Sequence, residues 1–120
     1  MTIVVDVTRR AGDFTLSVDF ASEGRVTALV GRSGAGKTTL VNLIAGLIRP
    51  DGGRIIVDGE TLNDTARSIF VPAHRRRIGY VFQEPRLFSH LTVRQNLLYG
   101  RWFHRRRTGG LDPADVIDQL

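Results

Sequence analysis

Cysteine is absent from this 120-residue chain. That excludes a disulfide framework and any cysteine-built metal site, and it is compatible with the cytoplasm. Long apolar runs are missing as well. None approaches the ~20 residues that a membrane-spanning helix requires, so the chain does not enter a bilayer by itself. The opening residues Met1–Asp6 include an acid and lack the basic stretch of a secretory leader, so no signal peptide is expected. No internal repeat and no low-complexity linker divides the chain. Acid is scarce in one region. Between Pro72 and Arg107 nine arginines accompany a single acid, Glu84, in a chain of formal charge +5. Such a block suits nucleic acid, anionic lipid or an acidic partner, and equally well a plain solvated face.

What is present is the composition of a soluble globular domain, with 42% apolar and 24% charged residues. The length suits one small domain. Strand and helix patterns alternate, which predicts an α/β class. Ile3, Val5 and Val7 alternate with other residues, and so do Phe14, Leu16, Val18 and Phe20. With Ala11-Gly12-Asp13 between them, the two runs read as a hairpin. Arg25–Val30 reads as a buried strand. A helical face of Leu40, Leu43, Ile44 and Leu47 follows, stopped by Arg49-Pro50-Asp51-Gly52-Gly53. Arg54–Val57 is a strand ended by Asp58-Gly59. Glu60–Arg77 reads as loops and Ile78–Phe82 as a strand. Thr92 is placed to cap a short helix, Val93–Tyr99, which Gly100 would end. Arg101–Gly110 reads as an exposed loop, and Asp112-Pro113 as the start of a last helix.

Between the strand pattern ending at Val30 and the helical pattern stands Gly31-Arg32-Ser33-Gly34-Ala35-Gly36-Lys37-Thr38. It fits the phosphate-binding loop G-x-x-x-x-G-K-[ST] at every fixed position. With glycine near 7% of residues, the pattern arises by chance in well under ~1% of chains this long. Glycines let successive N–H groups turn inward toward phosphate oxygens. The helix that follows aims its positive end at the same anion. Lys37 is placed to reach the outer phosphates and the Thr38 hydroxyl to ligate Mg²⁺. The ligand expected is therefore Mg-ATP, held by Gly31, Arg32, Ser33, Gly34, Ala35, Gly36, Lys37, Thr38 and Thr39. Arg54-Ile55-Ile56-Val57-Asp58 imitates a strand ending in a metal-directing aspartate. The glycine after Asp58 makes a hairpin turn the better reading.

The residues from Val30 to Leu40, then Ile44-Ala45-Gly46-Leu47 and Asp51-Gly52-Gly53-Arg54-Ile55, resemble the ATP-binding subunit of ABC transporters. Tyr80-Val81-Phe82-Gln83-Glu84 is similar to that family's Q-loop, and Leu87–Val93 to the start of its helical subdomain. The resemblance covers nearly the whole chain, in the family's order. It implies a P-loop NTPase core of the ABC ATPase type with antiparallel β hairpins. Residues 1–120 would form the N-terminal portion of the nucleotide-binding domain, incomplete at the C-terminus. By itself a glutamine after a strand is an ordinary polar surface residue. The resemblance implies that Gln83 is the candidate catalytic residue, reaching Mg²⁺ or the attacking water and sensing the γ-phosphate. The metal ligands would then be Thr38 and Gln83. It also implies an aromatic ring stacked on adenine. Phe14 is the candidate, although it fits the apolar face of the hairpin equally well.

One branch fits best. His74–Gln83, then Arg86-Leu87-Phe88, then Val93–Gly100 resemble the ATPases of molybdate importers. Other anion importers usually carry alanine where Arg86 stands. The partners implied are transmembrane permease subunits, a second ATP-binding subunit and, indirectly, an extracytoplasmic substrate-binding protein. The place implied is the cytoplasmic face of the membrane, as a peripheral subunit. The family's LSGGQ-type signature, Walker B aspartate, catalytic glutamate and switch histidine have no counterpart in residues 1–120 and are expected beyond Leu120. The chain alone is therefore expected to be inactive. A non-catalytic nucleotide-binding fragment remains open, as does the ATPase of another importer, for sulfate, iron or polyamine. A small P-loop kinase fits poorly with the Gln83 region. Nucleic acid is not an expected partner, because the arginine block has no aromatic interleaving or reader motif. His74, His90 and His104 are too scattered for a metal site or a triad.

Overall fold

In the computed structural model, residues 1–103 are described. They divide into two compact units, the first comprising Met1–Tyr80 and the second beginning at Val81. The first unit is built on a five-stranded antiparallel sheet. Its strands are β1 (Thr2–Ala11), β2 (Phe14–Glu23), β3 (Gly52–Val57), β4 (Glu60–Asp64) and β5 (Ile69–Phe70), in the spatial order β2-β1-β3-β4-β5. The hairpin expected from the alternation is present, with Val5 opposite Phe20, Val7 opposite Val18 and the turn at Gly12. β1 pairs on its other side with β3, Val5 opposite Ile55.

One helix covers the sheet, α1 (Lys37–Ala45). Its Leu40 and Leu43 join Val5, Val7, Leu16, Ile55 and Leu62 in one buried cluster. Each such side chain contributes about 1.5–3 kcal/mol by leaving water. The helix stops earlier than the apolar pattern suggests. Gly46 takes a left-handed conformation, φ 80°, and the Leu47 N–H returns to the Asn42 carbonyl at 2.9 Å. This closing pattern turns the chain before Leu47, which is left half-exposed.

Asp58 and Gly59 both have positive φ, 48° and 78°, and form the turn between β3 and β4. The Asp58 carboxylate accepts the Thr2 N–H at 2.8 Å. It is thus a turn residue tying down the start of β1, as the Asp-Gly signal predicts. β4 and β5 lie in the stretch expected to be loops. Pairing across the sheet overrides their weak local pattern. The register shifts beside Ile55 and Ile56, and Leu62 is the extra residue. The bulge turns two consecutive side chains inward, Leu62 and Asn63, both about 1% exposed.

Two expected strands are not formed. Arg25–Val30 and Ile78–Phe82 have no strand assignment, and Val26 and Val30 are 88% and 94% exposed. A strand exists only through its neighbour's hydrogen bonds, and no described residue pairs with either segment.

The second unit contains α2 (Val93–Leu98). Thr92 caps it as expected and completes a reciprocal box. The Gln95 N–H donates to Thr92 Oγ1 at 3.2 Å, and the Thr92 N–H donates to Gln95 Oε1 at 2.9 Å. Gly100 does not end the helical path, which tightens into a 3-10 turn over Tyr99–Phe103. The loop expected to run on to Gly110 and the helix expected from Asp112 lie outside the described residues.

Candidate phosphate-binding site

Gly31–Gly36 forms an irregular turn in which the Ala35 N–H donates to the Arg32 carbonyl at 3.1 Å. Gly34 and Gly36 have φ of 81° and 94°, conformations that side chains rarely adopt. Gly36 is also the N-cap of α1, and the first helical bond runs from the Leu40 N–H to its carbonyl. No side chain caps this helix and no acid stands in its first turn. The N–H groups of Lys37, Thr38 and Thr39 thus have no intrahelical acceptor, and nothing in the first turn offsets the positive end of the helix. The Lys37 ammonium donates to the carbonyls of Gly31 and Arg32, the latter at 3.0 Å, and so lies against the loop. Thr38 is exposed, Thr39 half-buried, and Arg32, Ser33 and Ala35 are exposed. The arrangement is a concave set of donors carrying one ammonium, which suits a polyanion.

The β1–β2 hairpin brings Phe14 to this loop. A Cβ placed on Gly36 would lie 3.3 Å from the Phe14 ring and 2.8 Å from Leu16 Cδ1. The Phe14 ring is 44% exposed, so it borders the phosphate loop and keeps a face toward solvent. Gly36 is thus required twice, by its backbone conformation and by this contact.

The opposite end of α1 holds residues that the sequence did not single out. Arg76 is buried, between exposed neighbours Arg75 and Arg77. Its Nη1 donates to the carbonyls of Leu43 and Ile44, each at 3.1 Å, and its Nε to that of Val71 at 2.6 Å. Burial pushes its pKa down from the ordinary arginine range. Arginine keeps its proton in proteins, so a cation sits on the negative end of the helix, where it is favourable. Arg49 and Arg76 both lie over the Phe70 ring, 4.0 and 4.9 Å from its centre. Tyr80 makes a further tie, its hydroxyl hydrogen-bonded to Asn42 Oδ1 at 2.7 Å. One arginine of the basic block is therefore structural. The sequence carried no local sign of which one, because its acceptors lie more than thirty residues away.

Gln83 belongs to the second unit, where it is exposed on an irregular segment rather than at the end of a strand. The segment is shaped by Arg86, whose guanidinium stacks 4.5 Å from the centre of the Phe82 ring. Asn96 fastens the stretch beyond it. Its Oδ1 accepts the Phe88 N–H at 2.8 Å, and its Nδ2 donates to the Thr92 carbonyl at 2.9 Å. A cleft of about 220 Å³ there is lined by Arg86, Leu87, Phe88, Val93, Leu97 and Tyr99, among others. Leu87 and Val93 are largely exposed. Among the described residues no three His, Asp or Glu side chains group to hold a metal by themselves.

Comparison with known proteins agrees with this geometry. The family model described as "ABC transporter" matches residues 15–119. A protein of Rhizobium etli named "Molybdenum import ATP-binding protein ModC" is 63% identical over all 120 residues of the chain, which span 34% of that protein. Its namesake from Mesorhizobium japonicum is 57% identical over the same 120 residues, 32% of its length. Another, from Rhodospirillum rubrum, is 57% identical over 118 residues, 97% of this chain and 31% of that protein. The chain thus spans about a third of the length of the curated relatives it matches.

Proposed function

Because the chain belongs to the ABC transporter family, we propose that it carries the ATP-phosphate site of an importer ATPase, with molybdate as the transported substrate. The observation that carries the first part is the uncapped start of α1, with Lys37 folded over the glycine turn. The donor set fits Mg-ATP. Backbone N–H groups from Gly34 to Thr39 and the Lys37 ammonium would hold the phosphates. The exposed Thr38 hydroxyl would take one position on Mg²⁺, the phosphate oxygens others, and Gln83 the place beside the attacking water. The metal would supply charge neutralisation on the phosphates. Phe14 would stack on adenine, a reading supported by its half-exposed ring beside Gly36.

The molybdate assignment rests on the relatives' printed names and on the residues from His74 to Gly100 that resemble that branch. In this reading residues 1–120 are the N-terminal portion of the nucleotide-binding domain, including the start of its helical subdomain, within an α/β P-loop core. The subunit works as one of two at the cytoplasmic face of the membrane, beneath permease subunits that receive the oxyanion from a binding protein. The cleft beside Leu87 and Val93, with its exposed apolar side chains, suits contact with the permease. No described helix is long and apolar enough to cross a membrane. A peripheral attachment needs none.

Calorimetric titration with Mg-ATP tests the site. Binding should be lost in Lys37→Ala, and equal affinity in the two proteins would reject the assignment. For the substrate, a subunit containing this sequence should restore molybdate-limited growth to cells lacking their importer ATPase. Rescue of sulfate or iron uptake in its place would reject molybdate and keep the family.

A further inference from the structure

The first 80 residues contain a device that the phosphate site alone does not explain. After β5 the chain follows no regular element except a 3-10 turn at Ala73–Arg75, yet it is fastened to α1 at successive points. Arg76 grips the Leu43 and Ile44 carbonyls and, through Nε, the Val71 carbonyl of its own segment. Tyr80 is bonded to the Asn42 side chain. The first compact unit ends at Tyr80.

We propose that Tyr80, through Asn42, and Arg76, through the last carbonyls of α1, are positioning residues that anchor the base of the Gln83 segment to the phosphate-binding helix. Asn42 follows Thr38 by four residues, so the two side chains lie on one face of α1, a single turn apart. The Tyr80 hydroxyl therefore attaches the chain directly below the threonine that ends the P-loop motif. Gln83 is the third residue after Tyr80, and three residues extend at most about 10 Å. The anchor thus limits how far the glutamine departs from the helical face that carries Thr38. The carbonyls held by Arg76 belong to the same helix whose opposite end offers N–H groups to phosphate. A nine-residue helix transmits a shift from one end to the other as a rigid rod about 13 Å long.

This inference rests on the reading of Gln83 as the residue that senses the γ-phosphate. Its consequence is a preference for ATP over ADP that depends on a hydroxyl remote from the nucleotide. The test measures Mg-ATP and Mg-ADP affinities of the full chain by calorimetry, with thermal unfolding in parallel. The proteins compared are the wild type, Tyr80→Phe, Asn42→Ala, their double variant and Gln83→Ala. Removing one hydrogen bond should reduce the ATP-over-ADP preference about threefold to tenfold. Mg-ADP affinity should stay within about twofold, since ADP has no γ-phosphate for the glutamine to sense. Tyr80→Phe and Asn42→Ala should have the same effect, and their double variant no more than either, because both remove one bond. A preference that survives in Tyr80→Phe and Asn42→Ala but collapses in Gln83→Ala would overturn the anchor and leave the glutamine's role standing. A preference that survives in Gln83→Ala would remove that role and the inference with it. Equal weakening of both nucleotides, in step with lost stability, would reduce the Tyr80–Asn42 bond to ordinary packing and also overturn the proposal.

Discussion

Gly46 and Arg76 approach so closely that no side chain fits between them. A Cβ built on Gly46 would overlap Arg76 Nε and lie 2.8 Å from Cζ, and Gly46 already has φ of 80°. The residue that ends α1 is thus fixed by its own turn and by a guanidinium thirty positions later. Gly46→Ala should lose about 3 kcal/mol, combining left-handed strain with displacement of a buried cation. Urea unfolding would measure it, and a loss below about 1 kcal/mol would mean that Arg76 moves aside freely.

Arg76→Met keeps much of the buried length and removes the charge from the Leu43, Ile44 and Val71 carbonyls. Those acceptors would remain buried without their donor, so a loss of about 2–4 kcal/mol is expected. Arg76→Lys should recover little, because an ammonium cannot span carbonyls that a planar fork reaches together. The double variant with Gly46→Ala should lose less than the sum of the two, since both disturb one contact. Chemical denaturation of the four proteins completes the cycle.

At the opposite end of α1, Lys37→Ala should weaken Mg-ATP binding at least tenfold, the scale of one charge-assisted contact to phosphate. Thr38→Ala should impair Mg-ATP more than metal-free ATP, because its hydroxyl serves the metal. Titrations with and without EDTA separate the two effects.

Phe14→Leu preserves the apolar packing beside Gly36 and removes the aromatic face. Stacking on a base is worth about 1–3 kcal/mol, so ATP affinity should fall roughly fivefold or more. Inorganic tripolyphosphate, which has no base, should bind unchanged. An equal loss for both ligands would show that Phe14 only shapes the loop.

The 120-residue chain should not hydrolyse ATP at a useful rate. Loss of a general base typically costs about two to four orders of magnitude, and no carboxylate here is placed by motif for that task. Asp58 is engaged with the Thr2 N–H on a hairpin turn. Asp58→Asn and Glu84→Gln should therefore leave any residual turnover unchanged in a phosphate-release assay. Turnover abolished by either would assign the base to that residue.

Local chemistry was legible in the sequence wherever a feature is closed within a few residues. The P-loop spacing, the Gly12 and Asp58-Gly59 turns, the Thr92 cap and the alternation of the first hairpin each depend on neighbours in the chain. Tertiary structure decided the rest. β4 and β5 form because β3 and the buried cluster give them partners, although their own pattern is weak. Arg25–Val30 and Ile78–Phe82 have strong strand patterns and are not strands, because among the described residues nothing supplies their hydrogen bonds. Three identical arginines, Arg75, Arg76 and Arg77, separate into one buried and two exposed. Only the fold brings the carbonyls of Leu43 and Ile44 to the middle one, and a residue's partner thirty positions away leaves no mark on its immediate sequence.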